Sequence, residues 1–284
     1  MQYLNKEKWI LDESGIYKLV EKAAESTFTD EQQDGLFQIE DYSWWFIYRA
    51  SVIVGLMDRY YDRGVAVVDI GGGNGYTPSV AMKAGFMCDL IEPSAEACVN
   101  AKKRGLKQIN CGMLTDESII DGSIKQAMLL DVLEHIEDDN GFLSVIYKKL
   151  APDGKIIITV PAFKCLWSSE DDDAGHFRRY KIKDLSQLAE KNGFIVEYKN
   201  YFMSFLFLPI LFVRVFLEKI GVLKKSQERS EEEKQKITDS QFKSQSAIVN
   251  GVLNLLEGFE KSLLKKSGRV PFGSSVIIVL KRIG

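Results

Sequence analysis

The amino-acid sequence predicts an α/β protein whose mostly parallel sheet is covered by helices on both faces. From Val65 onward, short apolar runs alternate with helical patterns of about ten to fifteen residues. The apolar runs are continuous rather than alternating, which is typical of strands that are buried on both faces of a sheet. Parallel strands also need crossover connections of this length, and helices usually supply them.

Length and composition are those of a globular protein. The 284 residues are 45% apolar and 27% charged, which excludes a disordered or fibrous chain. The 37 basic and 40 acidic residues give a net charge of −3, which argues against nucleic-acid binding. The four cysteines show no metal-ligand spacing, and the N-terminus has no apolar run typical of a signal peptide. We therefore expect a cytoplasmic protein.

The elements follow one another along the chain. Residues 1–62 have mostly polar, helical spacing and contain an aromatic patch around Trp44 and Trp45, which predicts an N-terminal helical extension. Gly85 and Gly193 are expected to end two of the later helices, and Ala-Pro-Asp-Gly at 151–154 predicts a turn ahead of a strand. The predicted strands are VAVVDI (65–70), CDLIEP (88–93), QAMLLDV (126–132), KIIITVP (155–161), Phe194–Lys199 and Ser274–Arg282.

One stretch near the end departs from this alternation. Tyr201–Leu223 holds three charges in 23 residues, but its longest uncharged run is 13 residues, fewer than the roughly 20 that a transmembrane helix needs. It predicts a helical insertion that could serve as a lid, as a contact with a membrane surface or as a homodimer interface. The predicted parts are an N-terminal helical extension or cap (1–62), a core (63–200 with 272–284) and the insertion (201–271).

A glycine-rich turn follows the first buried strand. Gly71, Gly73 and Gly75 lie between that strand and a helix, which brings backbone N–H groups close to a ligand. A dinucleotide-binding turn would have a further glycine where this chain has Tyr76, and this difference counts against NAD. Asp69 is unusual inside an apolar strand unless its carboxylate binds the loop or the ligand.

Two further strand ends carry acidic residues. Glu92 lies about 20 residues past the glycine turn, where a carboxylate can accept both hydroxyls of a ribose. Asp131, Glu134 and His135 lie at the carboxyl end of the third buried strand, at the edge where open α/β sheets bind ligands. These three residues could also bind a metal ion, but the ligand set is small, and no metal is predicted.

Together these segments resemble class I S-adenosylmethionine-dependent methyltransferases. VVDIGGGNGY is similar to the cofactor loop of that family, IEPS to its ribose-binding turn, LLDVLEHIED to the segment after its fourth strand, and LAPDGKIIITVP to its fifth strand. The resemblance covers roughly residues 40–200 and the last strand. It implies a Rossmann-like, seven-stranded mixed sheet that is mostly parallel, with the last strand antiparallel. It also implies S-adenosyl-L-methionine as cofactor and S-adenosyl-L-homocysteine as product.

The resemblance implies contacts with each part of the cofactor. Asp69 and the glycine turn would lie along the methionine, Glu92 would hold the ribose, and Asp131 would lie beside the sulfonium. Met113 would flank the adenine, where many members carry an acidic residue and this chain has none before Asp116. The predicted cofactor-binding residues are Asp69, Ile70, Gly71, Gly72, Gly73, Asn74, Gly75, Tyr76, Glu92, Pro93, Met113, Leu114, Asp131, Val132 and Leu133.

A narrower resemblance concerns a bacterial methyltransferase group whose genes often accompany cell-envelope glycan or lipid pathways. Its N-terminal WWFxxR helix is similar to residues 44–49 here. Its WSxxDxxxGHxRRY segment matches residues 167–180, although Glu170 stands where many members have His. The resemblance implies a functional loop after the fifth strand of the family fold.

Methyl transfer from a sulfonium is an in-line displacement, so the enzyme mainly has to align donor and acceptor. A general base helps when the acceptor is a hydroxyl, and O-methylation is favoured. His176 is the preferred base, oriented by Asp171, with Arg178 or Arg179 holding an anionic group of the substrate. The predicted catalytic residues are His176, Asp171, Arg179 and His135.

The predicted function is methyl transfer to a small-molecule, glycan or lipid-linked acceptor. One alternative is an NAD-dependent oxidoreductase or epimerase on a similar fold. Another is a non-catalytic module that binds S-adenosylmethionine and serves as a scaffold. The sequence does not identify the acceptor. The acceptor-binding residues are expected in the N-terminal helices and the insertion, and no sequence pattern there indicates which acceptor is bound.

Overall fold

A computed structural model describes residues 3–20, 30–221, 228, 230, 247–266 and 268–284 of the chain. Its centre is a nine-stranded sheet. The strands are β1 (Trp9–Leu11), β2 (Tyr17–Leu19), β3 (Val67–Ile70), β4 (Cys88–Glu92), β5 (Gln108–Cys111), β6 (Ile124–Leu130), β7 (Leu150–Pro161), β8 (Phe194–Phe202) and β9 (Ser275–Arg282). Across the sheet their order is β1-β2-β5-β4-β3-β6-β7-β9-β8.

Helices cover both faces of this sheet. They are α1 (Asp30–Glu40), α2 (Trp44–Tyr60), α3 (Tyr76–Lys83), α4 (Ala95–Lys103), α5 (Asp139–Lys149), α6 (Ser169–Asp173), α7 (Ile182–Lys191), α8 (Phe207–Pro209), α9 (Leu217–Lys219) and α10 (Ala247–Lys265). A π-helical stretch, Ile210–Phe216, connects α8 to α9. Val68 of β3 belongs to an apolar core with Leu185 of α7, and its neighbour Val67 belongs to a second core with Tyr48 of α2. Neighbouring strand residues thus point to opposite faces.

The strand directions confirm the mixed, mostly parallel sheet. From β2 to β7 every neighbouring pair is parallel, and β9 lies antiparallel between β7 and β8. The last two predicted strands therefore form the expected antiparallel pair. The predicted number of seven strands is wrong, because β1 and β2 extend the sheet beyond β5.

The two additional strands belong to the N-terminal extension, for which the sequence predicts helices. β1 and β2 are joined by a tight turn in which the Ile16 N–H donates to the Asp12 carboxylate at 3.0 Å. The indole N–H of Trp9 donates to the carbonyl oxygen of Ser118 at 2.8 Å and anchors the hairpin. With three residues each, these strands are too short to show an alternating apolar pattern.

The turn expected at residues 151–154 lies within β7 rather than before it. Asp153 has a φ of +61°, and the pairing of β7 with β6 shifts register between Ile124 and Gln126. An irregularity of this kind bends a strand without ending it. The Ala-Pro-Asp-Gly sequence therefore kinks the strand.

The insertion is described in two pieces. After β8, a helical segment runs from α8 to α9, and α10 later packs against α2. Residues 222–227, 229 and 231–246, which include most of the charged part of the predicted insertion, lie outside the described residues, as do residues 21–29. None of the described helices is both long and apolar enough to cross a membrane.

Candidate active site

A cavity of about 600 Å³ lies at the carboxyl edge of the parallel strands, where open α/β sheets bind ligands. Its volume is within the range of small-molecule sites. Residues at the ends of β3, β4, β6 and β7 contribute to its walls, and so do residues of α1 and α2. The predicted site residues that line it are Asp69, Ile70, Gly71, Gly72, Gly73, Tyr76, Glu92, Pro93, Met113, Leu114, Asp131, Val132, His135, His176 and Arg179.

The glycine turn between β3 and α3 leaves no room for side chains at three positions. A Cβ atom on Gly71, which has a φ of +70°, would lie 2.7 Å from Val132 Cγ2. A Cβ atom on Gly72 would lie 2.3 Å from Asp69 Oδ2 and 2.6 Å from Leu90 Cδ1. Gly75 begins α3 with a φ of +73°, and a Cβ atom there would lie 2.9 Å from that of Ala101. The turn therefore packs closely against the sheet and α4, and its backbone borders the cavity.

Glu92 connects this turn to the next one. Its Oε2 accepts a hydrogen bond from the Gly73 N–H at 2.9 Å, and its Oε1 accepts one from the Ser94 N–H at 2.9 Å. Burial raises the pKa of Glu92, although the two backbone hydrogen bonds oppose that rise. Each carboxylate oxygen has two lone pairs, so both can also accept from a ligand hydroxyl.

Asp69 is fully buried at the end of β3 and borders the cavity. Neither carboxylate oxygen has a hydrogen-bond partner among the described residues. Burial raises the pKa of Asp69 to about 7, against the opposing effect of the Arg49 guanidinium. A buried carboxylate without partners costs folding free energy, which is typical of a residue kept for a ligand.

We expect the Asp69→Asn variant to be more stable than the unsubstituted protein by about 1–3 kcal/mol at pH 8, because the amide needs no desolvated charge. The folded protein holds the Asp69 proton up to about pH 7, whereas an unfolded carboxyl releases it near 3.8. The stability that Asp69 contributes therefore falls as the pH rises between these values. Urea unfolding of the cofactor-free protein at pH 5 and pH 8 should show a larger difference at pH 8.

The matched control is Asp58→Asn, which removes an exposed carboxylate that pairs with Arg63 at 2.5 Å. Its effect should stay within about 1 kcal/mol at both pH values, because exposed ion pairs contribute little. A stability difference for Asp69→Asn that does not change with pH would contradict the buried, unpaired carboxylate.

Four predicted site residues lie behind the cavity wall: Asn74, Gly75, Leu133 and Asp171. The buried Asn74 amide donates to the carbonyl oxygen of Gln33 at 3.0 Å and to the Glu40 carboxylate at 3.3 Å, which holds α1 against the glycine turn. Leu133 belongs to the apolar core. These residues support the wall rather than form it.

Three residues of α2 line the cavity although the predicted site residues do not include them: Trp45, Phe46 and Arg49. The Arg49 guanidinium lies 5.3 Å from the centre of the Trp45 ring and forms a 2.6 Å ion pair with Asp131. The Thr159 hydroxyl donates to the other oxygen of Asp131 at 3.0 Å. These contacts hold Asp131 in a backbone conformation with a φ of +55°. Glu134, which the sequence places at this edge without assigning it a role in cofactor binding or catalysis, also lines the cavity. Other unpredicted lining residues include Gln33, Leu36, Glu40, Phe142, Ile210 and Ser275.

His176 and Arg179 share one buried carboxylate. His176 Nδ1 lies 2.8 Å from Asp171 Oδ1, and Arg179 Nε donates to the same oxygen at 2.7 Å. Burial raises the pKa of Asp171, but the hydrogen bonds from His176 and Arg179 outweigh it and hold the pKa below its usual value. A proton on Nδ1 leaves Nε2 of His176 as an acceptor. Arg178 instead pairs with Asp139 at 2.6 Å and does not line the cavity.

His135 and Glu134 lie beside His176. The two imidazole rings are 4.8 Å apart in an edge-on arrangement. Burial, together with the neighbouring His176, lowers the pKa of His135 to about 4, so this ring is neutral at pH 7. Burial raises the pKa of Glu134 well above its usual value. One potential ligand atom from each of the three residues lies within 4.8 Å of the others, so together they could hold one metal ion.

Met113 and Leu114, which the sequence places beside the adenine, both line the cavity. Asp116, the first acidic residue after them, is exposed and lies 3.2 Å from Lys148. It does not line the cavity and is not placed to act as the acidic residue that many family members carry near this position.

The chain matches a family of known proteins. The model of a family described as a methyltransferase domain matches residues 47–199, more than half of the chain. A comparison with curated protein sequences gave no match.

Several solved structures have a similar fold. Two are of phosphoethanolamine N-methyltransferase 2 from Haemonchus contortus, one with S-adenosylmethionine and one with S-adenosylhomocysteine and phosphomonomethylethanolamine. They are 17% identical with a TM-score of 0.55, and the match covers 91% of this chain but only 58% of that one. The protein bound to the Haloferax volcanii methyltransferase activator Trm112 is 13% identical with a TM-score of 0.54, covering 90% of this chain and 94% of that one.

A Galdieria sulphuraria protein assigned as a sarcosine dimethylglycine methyltransferase is 15% identical with a TM-score of 0.51, covering 84% of this chain and 85% of that one. At such identities the likeness concerns the fold. Together with the family match, which covers the glycine turn, Glu92 and the His176 loop, it leads to one conclusion. The chain belongs to the methyltransferase-domain family and has the fold of class I S-adenosylmethionine-dependent methyltransferases.

Proposed function

We propose that this protein transfers a methyl group from S-adenosyl-L-methionine to a hydroxyl of a small-molecule, glycan or lipid-linked acceptor. The observation that carries the proposal is a single cavity that contains both the glycine turn with Glu92 and the His176–Arg179 pair. The glycine turn with Glu92 suits a nucleoside cofactor. The His176–Arg179 pair suits an acceptor that must lose a proton. S-adenosyl-L-homocysteine would be the product.

The cofactor would occupy the side of the cavity formed by β3 and β4. Glu92 would accept the ribose hydroxyls, since its two oxygens already face the glycine turn and the Ser94 turn. Asp69 is a buried carboxylate beside the glycine turn, and the ammonium group of the methionine would supply the hydrogen-bond partner that its oxygens lack among the described residues. Met113 and Leu114 would cover the adenine with apolar surface.

The acceptor would lie against His176. In-line displacement at the sulfonium needs the acceptor oxygen aligned with the methyl group, and alignment of this kind can supply about 7–11 kcal/mol. His176 Nε2 would take the proton of the hydroxyl, while Asp171 fixes the ring through Nδ1. Arg179, anchored on Asp171 and the carbonyl oxygen of Ala162, would attract an anionic group of the acceptor.

Calorimetric titration of the full chain with S-adenosylmethionine, S-adenosylhomocysteine and NAD tests the cofactor. We expect the first two to bind and NAD not to bind. Glu92→Gln should weaken S-adenosylmethionine binding about 10- to 100-fold, because a hydrogen bond to a charged group contributes about 1.5–3 kcal/mol. Glu96→Gln, in the first turn of α4 and outside the cavity lining, is the matched control and should leave binding unchanged.

Binding of NAD in place of S-adenosylmethionine would support the oxidoreductase alternative and contradict the proposal. A labelled-methyl assay on cell-envelope lipid and glycan fractions then tests catalysis. Tight S-adenosylmethionine binding with no labelled product in any fraction would favour a non-catalytic scaffold.

A further inference from the structure

The helical segment after β8 exposes an unusual amount of apolar surface. Five large apolar side chains, called the apolar platform here, are between 46% and 66% exposed: Leu208, Phe212, Val213, Phe216 and Ile220. Four of them recur at intervals of four residues, which places them along one side of the helical segment. The rings of Phe212 and Phe216 stack at 5.6 Å. A group of large apolar side chains that is exposed on a protein surface usually marks a site where another molecule or a membrane binds.

The same segment forms part of the cavity wall. Ile210 lines the cavity, two residues from Leu208 and Phe212 of the platform. Phe207 packs inward, against Phe163 and Phe272, with ring centres 5.5 Å apart in each case. One side of the segment thus contacts the protein and the cavity, and the other side carries the platform. A molecule lying on the platform is therefore next to the wall of the proposed active site.

Two exposed lysines lie beside the platform. Lys219 follows Phe216 by three residues and is exposed, and Lys164 is exposed on a short turn that contacts the π-helical stretch. Glu218 accepts a hydrogen bond from the Ser169 hydroxyl at 2.9 Å, at the start of α6, whose acidic residues lie on that side of the segment. Apolar and aromatic side chains with lysines at their edge are the composition that binds the surface of an anionic membrane.

The composition of residues 222–246 does not suit them as a cover for the platform, and α10 leaves it exposed. Residues 222–246 contain six basic and five acidic residues, against four large apolar ones (Val222, Leu223, Ile237 and Phe242). A segment with so many charges cannot bury five large apolar side chains without desolvating its own charges. The composition therefore favours an occupant that is not part of the chain.

We propose that the apolar platform inserts into the surface of an anionic lipid bilayer, and that the acceptor is an amphiphile that reaches the cavity from that bilayer past Ile210. The platform is too short to span the membrane, so it would lie in the interface plane with its phenylalanines among the acyl chains. The acceptor part of this inference rests on the proposed function, whereas the membrane contact stands on the platform alone.

Flotation of the full chain with vesicles tests the contact. We expect binding to vesicles of equal parts phosphatidylcholine and phosphatidylglycerol, and weaker binding to phosphatidylcholine alone or at high salt. Phe212→Ser with Phe216→Ser should lower the affinity for the anionic vesicles at least about tenfold, since two large side chains leave the lipid. The matched control is Ile10→Ser with Ile283→Ser, which removes two apolar side chains of similar exposure, 62% and 52%, far from the platform in sequence.

Two results would overturn the inference: no binding of the full chain to anionic vesicles at low salt, or equal loss of binding in the control. A third would be a dimer, measured by light scattering, that the Phe212→Ser and Phe216→Ser substitutions dissociate, because the platform would then be a subunit interface. Titration with S-adenosylmethionine separates this inference from the proposed function. The platform variant should bind the cofactor as the unsubstituted protein does, whereas failure of the unsubstituted protein to bind it contradicts the proposed function alone.

Discussion

Replacing His176 by Asn should lower the rate of methyl transfer by roughly 10²–10⁴-fold, the usual contribution of a general base, and should leave the affinity for S-adenosylmethionine unchanged. The ring is held through Nδ1 by Asp171, which leaves Nε2 free to take a proton from the acceptor. The side chain lines the cavity but belongs to the loop after β7 rather than to the glycine turn. The rate is measured as label transferred from S-adenosylmethionine to the envelope fraction, and the affinity by calorimetry.

Asp171 and Asp172 provide a matched pair for the orienting role. Asp171→Asn removes the charge that holds His176 and Arg179, so kcat should fall while the KM for S-adenosylmethionine stays the same. Asp172 is a neighbouring carboxylate whose one side-chain hydrogen bond among the described residues comes from the Trp167 indole N–H at 3.1 Å, and Asp172→Asn should keep full activity. Added imidazole should restore part of the activity of the His176→Asn variant, which a structural role would not explain. Full turnover by that variant would contradict the proposed base.

The sequence predicts much of this site because parallel strands bring their carboxyl ends to one edge. Asp69, Glu92 and Asp131 each end a recognisable apolar run, so a common position could be inferred without knowing any contact. The His176 loop follows β7 and reaches the same edge. Residues that end buried strands are thus the predictable part of a site on this fold.

Other features depend on contacts between segments that are distant along the chain. Trp45 and Arg49 share a helix face, but the ion pair between Arg49 and Asp131 joins residues 82 positions apart, and no local pattern indicates it. Asn74 lies within the glycine turn, and yet its amide turns away from the cavity to bind α1. The hairpin of β1 and β2 is set by the Trp9 contact with Ser118 rather than by strand propensity. Tertiary contacts, not local pattern, decide these positions.

The attachment of the insertion to α2 depends on one buried carboxylate. Glu260 of α10 is 2% exposed and accepts hydrogen bonds from the Met203 N–H at 2.6 Å and the Ser204 N–H at 2.7 Å. The hydroxyls of Ser204 and of Tyr48, on α2, also donate to it. Burial and the neighbouring carboxylate raise the pKa of Tyr48, which keeps this hydroxyl protonated as a donor. Glu260 thus joins α10 and the start of the segment that carries Ile210 to the helix that carries Arg49.

Replacing Glu260 by Leu, which has a similar volume, should destabilise the protein by about 3–5 kcal/mol, because four donors, two of them buried and two partly buried, lose their acceptor at once. For a chain of this size the melting temperature should fall by about 6–15 °C. The matched control is Glu257→Leu, one helical turn away: Glu257 is also mostly buried, but it pairs only with Lys261, at 3.5 Å, among its described contacts. Its loss should cost less than about 1 kcal/mol. The melting temperatures of both variants test this prediction. Equal decreases in melting temperature would show that Glu260 does not hold the insertion to α2.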